Sequence, residues 1–249
     1  MISLKSLRML VGARTAAILF LIHLAGLGAG AQALSVLPVN IFLQPGQKAT
    51  TLTVTNQGTG STAIQIRAYV WSQKAGEDEL AASDQIVVSP PIATIAGGAT
   101  QVVRLILRDS PQGQESTYRI LVDQIPPPAE PGVVHIVLRL SIPVFVMPAV
   151  RPLAHVQFHV ERKSGKLFLV GVNDGTAHDV IRDIVLTTGD GQKLMGAKDS
   201  SPYILAGATR YWPIALEDSK PLPTDDSFQL SVHSNGGPIA QQVSVVTEP

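Results

Sequence analysis

The strongest constraint in the chain is the run at residues 133–146, VVHIVLRLSIPVFV. Its even positions, Val134, Ile136, Leu138, Leu140, Ile142, Val144 and Val146, are all branched and apolar. The odd positions mix His135, Arg139, Ser141 and Pro143 with Val133, Val137 and Phe145. Apolar residues at every second position line one side of an extended chain, whereas helical spacing would mix the two sets. The run therefore predicts a β-strand with one unbroken hydrocarbon face. Pro143 lies inside it and the proline-rich segment IPPPAEPG precedes it. A residue without a backbone N–H fits a sheet edge better than a sheet centre. Two readings stay open: an ordinary core strand, or a surface that accepts another protein's strand.

The same period of two recurs along the chain, and hardly any segment keeps helical spacing for three turns, so the class is all-β. Strands are expected at 40–43, 49–56 with Leu52 and Val54 inward, and 62–71 with Ile64, Ile66, Ala68 and Val70 on one face. A polar, acidic connection at 74–84 follows, then strands at 86–88, 92–95, 100–107 and 116–123, separated by Pro90-Pro91, Gly97-Gly98 and a turn at 109–114. About seven short alternating strands before Pro148 match an immunoglobulin-like sandwich. Residues 148–152 form a stiff linker. Alternation resumes at 156–162, 166–173, 180–187, 193–195, 208–214, 228–232 and 241–246, divided by turn sequences such as Asn173-Asp174-Gly175 and Asn235-Gly236-Gly237. This predicts a second sandwich. The halves show no close internal repeat.

The N-terminus has a different character. Lys5, Arg8 and Arg14 precede an apolar run at 15–27 and small residues ending Ala31-Gln32-Ala33, the pattern of a secretory signal peptide. The apolar run is shorter than a bilayer span of roughly 20 residues. The expected domains are therefore 1–33, a signal peptide; 34–148, an N-terminal sandwich; and 149–249, a C-terminal sandwich. The mature protein is expected to be exported and not membrane-inserted. Its formal charge starts at zero, and losing three cations leaves it mildly acidic, so no nucleic-acid partner is expected. With no cysteine, an exported fold relies on core burial, and thiol catalysis and zinc ribbons are excluded.

Other constellations carry little chemistry. His155 and His159 share one side of an alternating segment but lack a third ligand, so no metal site is expected. Asp174, Gly175, His178 and Asp179 resemble an active-site cluster in composition only, without a G-x-S-x-G or H-E-x-x-H motif, and are better explained as a turn. Trp71 and Trp212 are expected to pack in a core or cleft rather than stack on sugar. No catalytic residue and no cofactor is expected.

The order of features resembles the periplasmic pilus-assembly chaperones related to PapD. The resemblance runs over the whole mature chain and is carried above all by the pair YRILVDQIPP and LRLSIPVFVMPA, which is similar to the last two strands of that family's first domain. It implies two immunoglobulin-like sandwiches in an L-shaped arrangement. It also implies a non-enzymatic role in the periplasm, with pilus or fimbrial subunits and an outer-membrane usher as partners. Subunits of such systems lack one strand, and the chaperone lends its own alternating edge strand until the usher exchanges it. On the family's pattern Val134, Ile136 and Leu138 fall at the groove-filling positions, with Leu140 as an extension.

The better-known members anchor the subunit's terminal carboxylate with an Arg on the first strand and a Lys on the last. The matching positions here are Asn40 and Pro143, which carry no charge. This departure is similar to the branch called archaic or alternative, and makes Arg119, Arg104 and Arg139 the replacement anchors to consider. A structural pilus subunit or adhesin is the main competing class, followed by a secreted hydrolase or carbohydrate-binding module. A subunit would begin with a free donor extension and usually carry a disulfide; this chain runs from Leu34 almost directly into a strand and has no cysteine.

Overall fold

The computed structural model describes residues 34–128, 131–132, 136–198, 200–215 and 223–247. The expected signal peptide and Val134 lie outside these residues. Among the described residues there is no helix, and the chain forms two all-β units.

The first contains β1 (Leu34–Leu37), β2 (Ile41–Leu43), β3 (Ala49–Asn56), β4 (Thr62–Lys74), β5 (Glu77–Ala82), β6 (Ile86–Ser89), β7 (Ile92–Ile95), β8 (Thr100–Leu107), β9 (Ser116–Ile125) and β10 (Arg139–Val146). One sheet has the order β1-β3-β8-β6; the other runs β2-β10-β9-β4-β5, with β7 also paired to β4. Alternation decides which side chains meet between them. Leu52 and Val54, Ile64 and Ile66, Val103 and Leu105, Ile120 and Val122, and Ile142 and Val144 form the buried centre. Each such side chain contributes roughly 1.5–3 kcal/mol by leaving water.

Two expectations change. The acidic connection at 74–84 contains a strand, β5, all of whose residues are exposed. Ala75 and Gly76 take positive φ and fold the chain back onto β4, in register from Lys74↔Glu77 to Tyr69↔Ala82. Backbone pairing makes this strand, and pairing leaves no hydrophobic alternation to read. The long strand expected from 133 is also shorter, for β10 begins at Arg139 and residues 136–138 precede it outside any strand.

The second unit contains β11 (Val156–Lys163), β12 (Lys166–Asn173), β13 (Asp179–Val180), β14 (Arg182–Thr187), β15 (Lys193–Gly196), β16 (Tyr203–Ile204), β17 (Thr209–Ala215), β18 (Ser227–Ser234) and β19 (Gly237–Thr247). Its strands close in the order β11-β12-β17-β15-β14-β18-β19, with β13 and β16 as a separate ribbon. The closure arises because β17 pairs with both β12 and β15, while β19 pairs with both β18 and β11. Leu167, Leu169, Leu186, Trp212, Phe228 and Leu230 fill the interior. The strand expected at 180–187 is interrupted at Ile181, between β13 and β14, and within β14 Asp183 takes φ 53 where the β14–β18 register shifts.

The two units share a device. Asn56 and Asn173 each end a strand, each is buried, and each begins an Asn-x-Gly turn. In both, Oδ1 accepts the glycine N–H at 3.0 Å. The Asn56 amide donates to the carbonyls of Gly60 and Ile95, and that of Asn173 to Ala177 and Leu205. A buried side-chain amide thus ties a turn to a neighbouring segment.

Candidate functional site

The edge of β10 is the first component. β9 flanks all of β10, from Arg139↔Asp123 to Val146↔Ser116, but β2 pairs with it only at residues 144–146. Among the described residues, no strand pairs with the side of residues 139–143 that faces away from β9. The hydrogen bond from Gln124 N to Leu138 O (2.9 Å) sets the parity of the ladder. Even residues of β10 bond β9, and the polar groups of Arg139, Ser141 and Pro143 face the open side. Pro143 therefore lacks its N–H on the side where an edge tolerates that loss.

The apolar face of this strand leaves its own core as it runs upstream. Val146, Val144 and Ile142 are at most 4% exposed, Leu140 and Leu138 are half-buried, and Ile136 is 83% exposed. One sequence pattern thus covers two environments. Residues 136–138 retain the exposed Val137 beside Ile136.

The end of β10 is gripped on both faces. On the outer face Asp123 accepts from Arg139 and, at 2.7 Å, from Arg67. Burial raises the Asp123 pKa, but hydrogen bonds from Arg139 and Arg67 and the fields of the same two cations outweigh it and hold the carboxyl below the usual aspartate value. On the inner side the buried Gln124 donates from Nε2 to Thr62 Oγ1 (3.0 Å), while its Oε1 accepts Leu138 N (3.3 Å).

The opposite end of β10 enters the contact between the two units. Phe145 is fully buried and stacks on His178 with ring centroids 3.6 Å apart, beside Trp71 and Tyr203. The His178 backbone N–H and ring Nδ1 both donate to Glu115 Oε2, at 2.8 and 2.7 Å. Gln73 donates to Tyr203 O and accepts from Leu205 N, so its amide acts as a piece of backbone joining the units. Gly76 is required here: it has φ 83, and an added Cβ would meet the Tyr211 ring at 2.3 Å.

Arg119 stands in the same contact. Its guanidinium lies 3.7 Å over the Trp71 ring and 5.3 Å from that of Tyr203. Burial lowers its pKa, and the fields of Asp78 and Tyr203 oppose this only in part. Among the described residues no carboxylate forms an ion pair with it. Arg119 sits directly across from Pro143, and Tyr203 Oη donates to Asn40 Oδ1 at 3.3 Å. The three positions at issue in the sequence therefore lie together beside Tyr203, at the contact between the two units. Such a partly desolvated cation without a counter-ion is a place for an anion.

The other two arginines lie elsewhere. Arg104 is exposed on β8, in the opposite sheet, between Thr51 and Ser89. Arg139 is engaged by Asp123 at the far end of β10. His155 pairs with Asp174 and His159 with Glu161, and no metal-binding cluster exists among the described residues. Asp179 accepts the N–H groups of Val180 and Asn235, a turn-holding arrangement. Trp71 and Trp212 are both buried. Sequence reasoning missed the Glu115–His178 pair, Gln73 and the two residues that hold the strand end. Only the departure from alternation at Asp123 and Gln124, where polar residues follow ILV, gave any signal.

Comparisons with known proteins agree with this architecture. No curated protein sequence matches the chain. Among solved structures, the chain is similar to the chaperone–tip adhesion subunit pre-assembly complex CsuC–CsuE from archaic chaperone-usher Csu pili of Acinetobacter baumannii. That likeness has 20% identity and a TM-score of 0.64, covering 87% of this chain and 100% of the other. It is also similar to the Escherichia coli chaperone DraB (21%, TM-score 0.53, covering 87% and 97%). The Salmonella enterica SafA pilin–SafB chaperone complex gives 15%, TM-score 0.57, covering 84% and 96%. These establish the two-domain immunoglobulin-like fold of pilus chaperones. Family and fold together point to a non-enzymatic role. The description "Pili and flagellar-assembly chaperone, PapD N-terminal domain" matches residues 33–151, the segment that contains the open edge, and through it the first domain belongs to the PapD-like chaperones.

Proposed function

We propose that this protein is a periplasmic chaperone that captures pilus or fimbrial subunits by lending them the segment that leads into β10 together with the open start of that strand, and delivers them to an outer-membrane usher. The observation that carries this reading is the apolar face of β10, which continues out of its own core to the exposed Ile136 alongside an unpaired edge. Such a face fills the groove of a sandwich that lacks a strand. Val134, Ile136 and Leu138 are the groove-filling residues, with Leu140 shared between the protein's own core and the partner. Fully burying an exposed Ile or Leu is worth about 1.5–3 kcal/mol. Main-chain pairing adds register more than net energy, and ordering the partner offsets part of the total. Binding is therefore firm yet exchangeable.

Arg119 supplies the anchor for the subunit's terminal carboxylate, in place of the basic residues absent at Asn40 and Pro143. Its support is position, lack of a counter-ion and neighbouring aromatic faces. The mode fits the archaic or alternative branch. The test is co-purification from periplasm with subunits encoded by neighbouring reading frames. The wild type is expected to give a one-to-one complex, Ile136→Asp with Leu138→Asp none, and Arg119→Ala a weakened one. Undiminished recovery by the double variant overturns strand donation, and unchanged binding by Arg119→Ala removes it as the anchor.

A further inference from the structure

A strand paired on one side only frays from its free end, and β10 has special reason to do so. The next bonded position upstream of Leu138↔Gln124 would fall at Pro126, which has no N–H to donate. Gln124 is therefore the last donor that β9 offers. At this point two relays cross from β4 through β9 to β10, one on each face of the sheet. Inside, Thr62 holds the Gln124 side chain, whose Oε1 completes the bonding of Leu138 N. Outside, Arg67 and Arg139 grip the two oxygens of Asp123.

We infer that Asp123 and Gln124 are positioning residues, a two-faced latch that keeps the open half of β10 extended on β9 before any partner arrives. The role in capture rests on the function proposed above; the latch itself does not. An edge already extended spares the complex the ordering cost of forming it, so the latch acts on association more than on dissociation.

Two variants test this in the full mature chain. Asp123→Asn keeps the shape and removes the charge, while Arg139→Gln alters only an exposed side chain. In both, amide hydrogen exchange at Leu138, Leu140 and Gln124 is expected to accelerate about tenfold, with Val144 and Val146 unchanged. Subunit association is expected to slow by a similar factor, with dissociation at the wild-type rate. Unaltered exchange at Leu138 and Leu140 overturns the latch, as does acceleration spread equally over Val144 and Val146. Altered dissociation with normal association assigns these residues to the complex instead and likewise overturns it. Exchange is measured without a subunit, so a wild-type protein that captures nothing refutes the proposed function and leaves the latch standing.

Discussion

The two domains are built from the same materials and end differently. Both are layers of short alternating strands, both bury aliphatic faces, and both use a buried Asn-x-Gly turn. The second joins its sheets into a closed ring, whereas the first stops β2 at three residues and, among the described residues, leaves the start of β10 paired on its β9 side alone. Closure removes the template for unwanted pairing, and it lies within reach of this kind of sequence. The open edge in the first domain is thus a specific local feature. It coincides with a strand whose apolar face outruns its core.

The largest test of this contrast is to break the closed domain. An added Cβ at Gly196, where β15 meets β17, lies 2.9 Å from the Ile184 Cβ. Gly196→Val should destabilise the second domain by about 3 kcal/mol, seen as a lower denaturation midpoint, while exchange in β3 and β8 stays unchanged. The next test addresses what the domains share. Asn56→Ala and Asn173→Ala each leave buried carbonyls without a donor, and each should cost about 2 kcal/mol in chemical denaturation. Unequal losses would mean that the two turns are alike in geometry alone.

The smallest effect concerns acid. The Asp123 carboxyl ionises at lower pH in the folded chain than in the unfolded one. Its contribution is complete above the unfolded value and disappears as pH falls through the folded value, below the ordinary aspartate range. Arg67 and Arg139 are the cations that face it. Acid should therefore loosen Leu138 and Leu140 before the closed domain opens, and Asp123→Asn should abolish that early step. Hydrogen exchange across an acid series measures both.

Much of this architecture was legible in the sequence because burial writes itself as alternation. The bounds of β3, β8 and β12 follow from it directly. β5 was hidden because its six residues are all exposed and only backbone pairing defines it. The start of β10 was misjudged for the opposite reason: the pattern continues unchanged where the strand does not. The open edge was foreshadowed by Pro143, but the register that brings Asp123 to Arg139 and Arg119 to Pro143 belongs to pairs of strands rather than to either one. The Phe145–His178 stack joins residues of different domains, and nothing local to either marks it.

Pro143 also acts as punctuation. A strand laid along the open edge finds donors and acceptors at Arg139 and Ser141, and only a carbonyl at Pro143, beyond which β2 already occupies the seam. The seam is closed at one end and can lengthen only toward Ile136, a reach of about 23 Å at strand spacing. The protein therefore carries a ruler with a fixed zero, against which any added strand is measured from the same mark.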